Sequence, residues 1–241
     1  MTSLLQRTRR WIDAAGVAIF PPRCGACDAP LTVRPPGGLC PPCTEILTSN
    51  DGPRCRRCDL PDQGTPCPPC RDHAPSFSEL RAPFLYGGPL ADLIVAAKFK
   101  GREELAAAVG RLVAAALQTE GWAGDGDALW APVPLGRARQ RRRGYNQSAI
   151  IARVVARARR GQVIYPLVRA RETLAQSDLP LRRRAANVRD AFAVRGKSVA
   201  GRTIILVDDV VTSGETVRQA AAALRAAGAT DVRVVAAARA P

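Results

Sequence analysis

Thr203-Ile204-Ile205-Leu206-Val207-Asp208-Asp209-Val210-Val211-Thr212-Ser213-Gly214-Glu215-Thr216 is the stretch on which the fold of this 241-residue chain turns. Ile204 to Val207 is a short apolar run rich in β-branched residues, the pattern of a strand buried on both faces of a parallel sheet. Asp208 and Asp209 follow at its end. Next come small hydroxyl residues and a glycine, then an Ala-rich helix over about 215–227 that Gly228 ends, and a further strand near 232–237. Strand, loop, helix and strand in that order form the crossover unit of a parallel sheet. The spacing therefore predicts an α/β fold, a parallel sheet flanked by helices.

The same stretch carries chemistry. A helix N-terminus offers unpaired N–H groups and the positive end of a dipole, which suit a phosphate. Thr212, Ser213 and Thr216 would add hydroxyl donors to that cradle, and Gly214 would allow close backbone approach. Asp208 and Asp209 would accept hydrogen bonds from two vicinal hydroxyls, so a sugar bearing a 5-phosphate matches both features. Two plainer readings compete: a helix N-cap beside acidic residues, and a receiver-like fold with acids at its strand ends.

Upstream, charge is unevenly spread. The formal net charge is +15; residues 1–127 hold 14 basic and 14 acidic residues, residues 204–241 four of each, and residues 128–203 hold 18 against three. A field confined to one segment draws phosphate-bearing partners, although an Arg-rich codon bias produces the same count. Arg137, Arg139, Arg141, Arg142 and Arg143 crowd into seven residues, followed by Tyr145, Asn146 and Gln147. Guanidinium forks, a stacking face and amides suit single-stranded nucleic acid or a diphosphate; a solvated loop before a helix is the alternative. Helices are expected at 102–118, where Leu105, Val109, Leu112, Val113 and Ala116 share a face, and at 145–160, with Arg153, Arg157 and Arg160 as a basic stripe. Strands are expected near 128–133, 163–168, 204–208 and 232–237, with a loop at 121–127. Lys98 reads as an exposed residue at a helix end, with phosphate as an alternative target.

All eight cysteines lie between 24 and 70 in four Cys-x-x-Cys pairs: Cys24/Cys27, Cys40/Cys43, Cys55/Cys58 and Cys67/Cys70. Two such knuckles give one closed tetrahedral zinc site with no position for water, so two structural Zn²⁺ are expected. Pairing by sequence neighbours and a cross-braced arrangement both satisfy the spacing. Disulfides and an iron–sulfur cluster are rival readings. The segment has few large apolar residues, so metal would supply its folding energy. His73 follows closely and reads as a surface residue. No internal repeat is apparent beyond the cysteine pairs. Aromatics are only 5% of the chain, which predicts close packing around small side chains. No run of about 20 apolar residues suggests a membrane span. A weak apolar leader, broken by Asp13, lacks a cleavage site, so a cytoplasmic location is expected. The division expected is a leader helix at 1–21, a double zinc ribbon at 22–72 and an α/β domain over 80–241.

Residues 204–216 are similar to the thirteen-residue signature of type I phosphoribosyltransferases. Cysteine ribbons before such a domain resemble the ComF family, associated with natural competence in bacteria. Ile19-Phe20-Pro21-Pro22, Tyr86-Gly87, Lys98-Phe99-Lys100-Gly101, Pro132-Val133-Pro134-Leu135, Arg143-Gly144-Tyr145-Asn146-Gln147 and the series Thr173, Gln176, Leu179, Arg184, Asn187, Phe192 extend the likeness over nearly the whole chain. Ala186 stands where some relatives have an arginine. The resemblance implies that Asp208 and Asp209 hold the ribose 2- and 3-hydroxyls of phosphoribosyl pyrophosphate (PRPP), or of ribose 5-phosphate. It implies that 211–216 wrap the 5-phosphate, and that Val133, Pro134, Leu135, Gly136 and Arg184 meet pyrophosphate, with Mg²⁺ bridging. Residues 173–187 would be a covering loop, and residues 81–101 a hood over an accepting base. The activity implied is pentosyl transfer at the anomeric carbon. The alternative is a catalytically silent module that handles single-stranded DNA, gripped by Arg137 to Arg143 and Tyr145, or that docks a DNA-uptake helicase or recombination protein.

Overall fold

The computed structural model describes residues 22–33, 35–61, 66–120, 127–170, 191–196 and 199–240. The expected leader helix, the loop at 121–126 and the covering loop with Arg184 lie outside the described residues.

The cysteine segment is built twice from one unit. Arg23-Cys24-x-x-Cys27-Asp28-x-Pro30 and Arg54-Cys55-x-x-Cys58-Asp59-x-Pro61 each close with an antiparallel bridge between the outer Arg and Pro. Asp28 and Asp59 take left-handed backbone, φ 60° and 57°, and their N–H groups return to the carbonyls of Cys24 and Cys55. Each unit ends in Cys-Pro-Pro-Cys, whose prolines start five-residue helices, α1 (Pro41–Glu45) and α2 (Pro68–Asp72). Proline suits a first helical turn, where its missing N–H would be unpaired anyway. The expectation of no repeat is thus corrected. Spacers of unequal length between the knuckles hide the duplication.

The α/β part begins with β1 (Glu79–Arg81) and β2 (Phe84–Leu85), then α3 (Gly88–Phe99) and α4 (Glu103–Thr119). Next are β3 (Leu129–Pro132), the short α5 (Arg137–Arg143), α6 (Gln147–Ala158), β4 (Gln162–Val163) and β5 (Leu167–Arg169). After β6 (Phe192–Val194) come β7 (Thr203–Val211), α7 (Glu215–Ala226) and β8 (Asp231–Arg239). The main sheet has the order β1-β8-β7-β3-β4, with β2 also on β8 and every pairing parallel. β1 and β2 keep one register along β8, interrupted at Pro83, which has no N–H for the ladder. The strand expected over 163–168 is two strands: β4 joins the main sheet, whereas β5 pairs antiparallel with β6 in a separate ribbon.

Alternation along β7 fills both faces. Ile205 and Val207 join Trp130, α3, α4 and α6 on one side; Ile204 and Leu206 join α7, Leu129 and Phe192 on the other. Small side chains such as Ala152, Ala220 and Ala237 are fully buried, so the layers pack closely. The first cysteine unit borrows this core: Cys24, Leu39, Cys40 and Cys43 belong to the same apolar cluster as α3 and α4. Its scarcity of large residues is made good by the helices it covers. The second unit packs its own small cluster of four cysteines and Leu60 at the β1–β8 edge. Among the described residues no helix is long and apolar enough to cross a membrane.

Candidate functional site

β7 runs on to Val211, so the two carboxylates lie inside the strand rather than at its end as expected. They are open to one side because β3 stops at Pro132, opposite Val207, and Val133 turns away after donating its N–H to the Val207 carbonyl at 2.9 Å. Beyond that level β7 keeps β8 and loses β3. A crevice at the carboxyl ends of parallel strands is the place where open α/β sheets bind ligands.

Asp208 Oδ1 accepts from Ser148 Oγ at 3.0 Å and from the Asp209 N–H at 2.9 Å. Asp209 Oδ1 accepts from the Val210 N–H at 2.7 Å, and Lys98 Nζ lies 2.8 Å from Oδ2, an oxygen with no aligned hydrogen bond. Burial pushes the Asp208 carboxyl up to about 7, and the charge of Asp209 adds to the rise; the Asp209 N–H, Lys98 and Ser148 act against it. The sequence places Lys98 at an exposed helix end. Instead the last turn of α3 brings its ammonium across to the acids. Phe99, the next residue, lies under the Arg143 guanidinium, 5.6 Å from ring centre to Cζ. The Asp209 charge in turn supports that guanidinium, which burial depresses. Of residues 81–101, expected as a hood, Arg81, Phe84 and Leu85 belong to strands of the sheet, and the end of α3 is what reaches the acids.

The loop after β7 turns sharply at Gly214, φ 78°, which caps α7 without any side-chain bond. A left-handed residue here is cheap for glycine alone. Asp208, Val210, Val211, Thr212, Gly214, Thr216 and Val217 line a small cleft between acids and helix start. Glu215 accepts from Gln219 Nε2 at 2.9 Å, one turn along α7, so its carboxylate is engaged on the helix surface. A cavity of about 1050 Å³ lies elsewhere, between the second cysteine unit and the amino-terminal ends of β1 and β8. It is broad and holds none of this chemistry.

The arginine run is a helix, α5, not a loop, and Gly144 ends it at φ 83°. Arg137, Arg141 and Arg142 are exposed, Arg139 and Arg143 partly covered. Pairs 137/141 and 139/143 set like charges one turn apart, an arrangement that an anion would relieve. Tyr145, expected as a stacking face, is half-buried, and its hydroxyl donates to the Ala97 carbonyl. The amides are also committed. Asn146 caps α6 through Ser148 N at 3.0 Å and donates to the Val133 carbonyl at 2.9 Å, while Gln147 is buried and accepts from Arg143. Val133 is buried, Pro134 and Leu135 are partly exposed, and Gly136 starts α5. Arg137 also joins Arg169 and Arg195 around a groove of about 400 Å³ beside the β5–β6 ribbon.

The cysteines group as sequence neighbours. Cys24, Cys27, Cys40 and Cys43 have sulfurs within 4.8 Å of one another, and so do Cys55, Cys58, Cys67 and Cys70. The two tetrads could each hold a metal ion. Burial would raise Cys24, but the N–H groups of Cys27, Cys40 and Ala26 outweigh it and bring the thiol down to about 6. The N–H groups of Cys67, Cys58 and Arg57 bring Cys55 to about 7 in the same way. Burial pushes Cys43 and Cys70 well up, and sulfurs beside them add to it. Four crowded sulfurs, one held ready as thiolate, fit an ion that displaces the other protons; a closed sulfur tetrahedron is consistent with zinc.

Fold and crevice define a phosphoribosyltransferase-type domain preceded by cysteine knuckles, and the model of the phosphoribosyl transferase domain matches residues 143–241. The chain is 35% identical over 226 residues to the DNA utilization protein YhgH of Shigella flexneri, covering 89% of this chain and 95% of that protein. It is 30% identical over 225 residues to Competence protein F of Haemophilus influenzae, covering 90% and 97%. A local likeness, 43% over 56 residues, links it to an orotate phosphoribosyltransferase of Xanthomonas axonopodis, 22% of this chain and 26% of that one. The chain belongs to the ComF family.

Proposed function

We propose that the crevice binds PRPP or ribose 5-phosphate, and that the protein serves DNA utilization or uptake, as the names of its relatives suggest for them. The observation that carries this reading is the placement of Asp208 and Asp209 beside a glycine-started helix, at the level where β3 leaves the sheet. The N–H groups of 212–216 would take the phosphate, and the ionised acids would accept from the ribose hydroxyls. Lys98 balances the negative charge of the pair before ligand arrives. Val133 to Gly136, with Arg184, would face the pyrophosphate. Magnesium arriving with the ligand beside Asp208 and Asp209 would supply charge neutralisation that eases departure of pyrophosphate. The two tetrads would hold zinc as structural ions. Isothermal titration of PRPP with magnesium tests the binding, and release of pyrophosphate on adding bases reads turnover.

A second reading rests on α5. Its exposed arginines and the groove between Arg137, Arg169 and Arg195 suit the phosphates of a single strand. Binding of single-stranded DNA at several salt concentrations tests it. Arg141→Ala and Arg142→Ala are each expected to lower the slope of log affinity against log salt by about 0.7, the share of one neutralised phosphate. An unchanged slope would leave the patch without a role.

A further inference from the structure

The two cysteine units share a sequence pattern and differ in how they meet the rest of the molecule. The first is held by apolar contact with α3 and α4. The second is held by buried polar groups that lead to the candidate phosphate loop. Asp59, directly after Cys58, is 2% exposed and accepts from the Ala82 N–H at 2.6 Å and from Arg81 and Asn50 at 2.9 and 3.1 Å. Its counterpart Asp28 is exposed and pairs with Arg23 on the surface. Conversion of a surface pair into a buried node fixes the Cys58–Asp59 peptide against β1.

Arg239, the last residue of β8, completes the connection. It is 5% exposed, donates from Nε to the Cys58 carbonyl at 3.1 Å, and from one terminal nitrogen to the carbonyls of Val211 at 2.9 Å, of Ala240 at 2.6 Å and of Thr212. One planar guanidinium therefore spans the metal knuckle and the two residues that open the loop. A second link runs parallel to it: Arg218, in the first turn of α7, donates to the His73 carbonyl and lies 3.9 Å from Cys70 Sγ. Both ends of the loop are thus tied to the second tetrad, through Cys58 before it and Cys70 behind it. The buried Arg239 guanidinium, with several carbonyl partners, has little freedom to re-pair, so movement of the knuckle must move the loop or break a charged hydrogen bond.

We infer that Arg239 is a positioning residue through which metal held by Cys55, Cys58, Cys67 and Cys70 sets the shape of the 211–214 loop. The second cysteine site then acts as a structural governor of the phosphate cradle, and the first does not. Loss or oxidation of the second site would loosen the cradle without touching a residue that contacts the ligand. By linkage, a ligand that orders the loop would raise the affinity of the second site for its metal.

The test uses the full zinc-loaded chain. Amide hydrogen exchange is followed in peptides spanning 210–216, with peptides of the first cysteine unit as internal reference. Arg239→Lys keeps a positive charge and cannot span both partners; it is expected to retain two zinc ions while its loop exchanges about tenfold faster. Cys67→Ser is expected to loosen the loop alike, and partial zinc removal from the unsubstituted chain by a chelator gives the same comparison should that variant not fold. In a second arm, zinc is competed away at equilibrium by a chelating dye with and without ribose 5-phosphate, and a several-fold gain in affinity for one of the two equivalents is expected. Loop exchange unaltered in Arg239→Lys and on zinc removal would overturn the inference. The ligand arm rests on the proposed phosphate site, whereas the exchange arm does not. Absence of ribose 5-phosphate binding to the native chain would count against that site alone, leaving the coupling to be decided by exchange.

Discussion

Replacing Asp208 with asparagine removes a charge that the fold holds at a cost. The carboxyl is enclosed by Ser148, Asp209 and the end of α3, and its ionisation is pushed from 3.8 up to about 7, burial first and Asp209 second. Between those values the folded chain holds a proton that the unfolded chain has released. Stability therefore falls as pH rises from about 4 to about 7, and levels off above. At about 1.4 kcal/mol per pH unit the interval amounts to about 4 kcal/mol. The residue keeps some accessible surface, so about 2 kcal/mol is the working figure. Asparagine retains an oxygen for Ser148 and for the Asp209 N–H, so Asp208→Asn is expected to be more stable than the native chain by about 2 kcal/mol at pH 8, the advantage vanishing near pH 4. Urea unfolding of the zinc-loaded proteins at pH 8, 6 and 5, with a matched pair near pH 4, reads the difference. The same substitution is expected to weaken ribose-phosphate binding at least roughly tenfold, giving a variant sturdier and poorer at binding. A gain independent of pH, or a loss at pH 8, would refute the assignment of Asp208 as a buried charge kept for function.

Lys98→Met takes the cation from Asp209 Oδ2, which has no aligned hydrogen bond, and is expected to cost about 1–3 kcal/mol in urea unfolding at pH 8; a neutral effect would mean the ion pair does not persist in solution. Gly161→Ala would set a methyl 2.3 Å from Trp130 Nε1 in a side chain only 2% exposed, so about 1–3 kcal/mol of destabilisation and a shifted tryptophan emission are expected. Metal analysis is expected to return two zinc ions per chain, released in separate phases by a chelator because one tetrad joins the main core and the other does not; a single ion would leave one tetrad without a metal.

Much of this is legible in the sequence because it depends on neighbours along the chain. Knuckle spacing brings the two sulfurs of each Cys-x-x-Cys pair together while leaving open which pairs share an ion, and Ile204 to Val207 followed by Asp208, Asp209 and Gly214 carries strand, acids and turn within a dozen residues. The rest depends on distant partners. Lys98 reads as a helix-end residue until α3 is laid across the end of β7. Tyr145 and Asn146 look free for ligands until Ala97 and Val133 are found beside them. Arg239 gives no local sign of burial, since its four carbonyl partners come from three separate segments of the chain. The duplicated Arg-Cys-x-x-Cys-Asp-x-Pro unit is visible in the sequence once the residues flanking each knuckle are aligned. The cysteines alone conceal it, because spacers of different length separate them.

The central claim is that the start of α7 and the acid pair form one site for a phosphorylated ribose. Titration of PRPP with magnesium into the zinc-loaded chain, run beside Asp208→Asn and Asp209→Asn, tests it most directly. The account predicts saturable binding to the native chain at one site, weakening below pH 7 as Asp208 takes up its proton, and at least a roughly tenfold loss in each variant. Equal affinity in all three proteins, or none in the native chain, would contradict it.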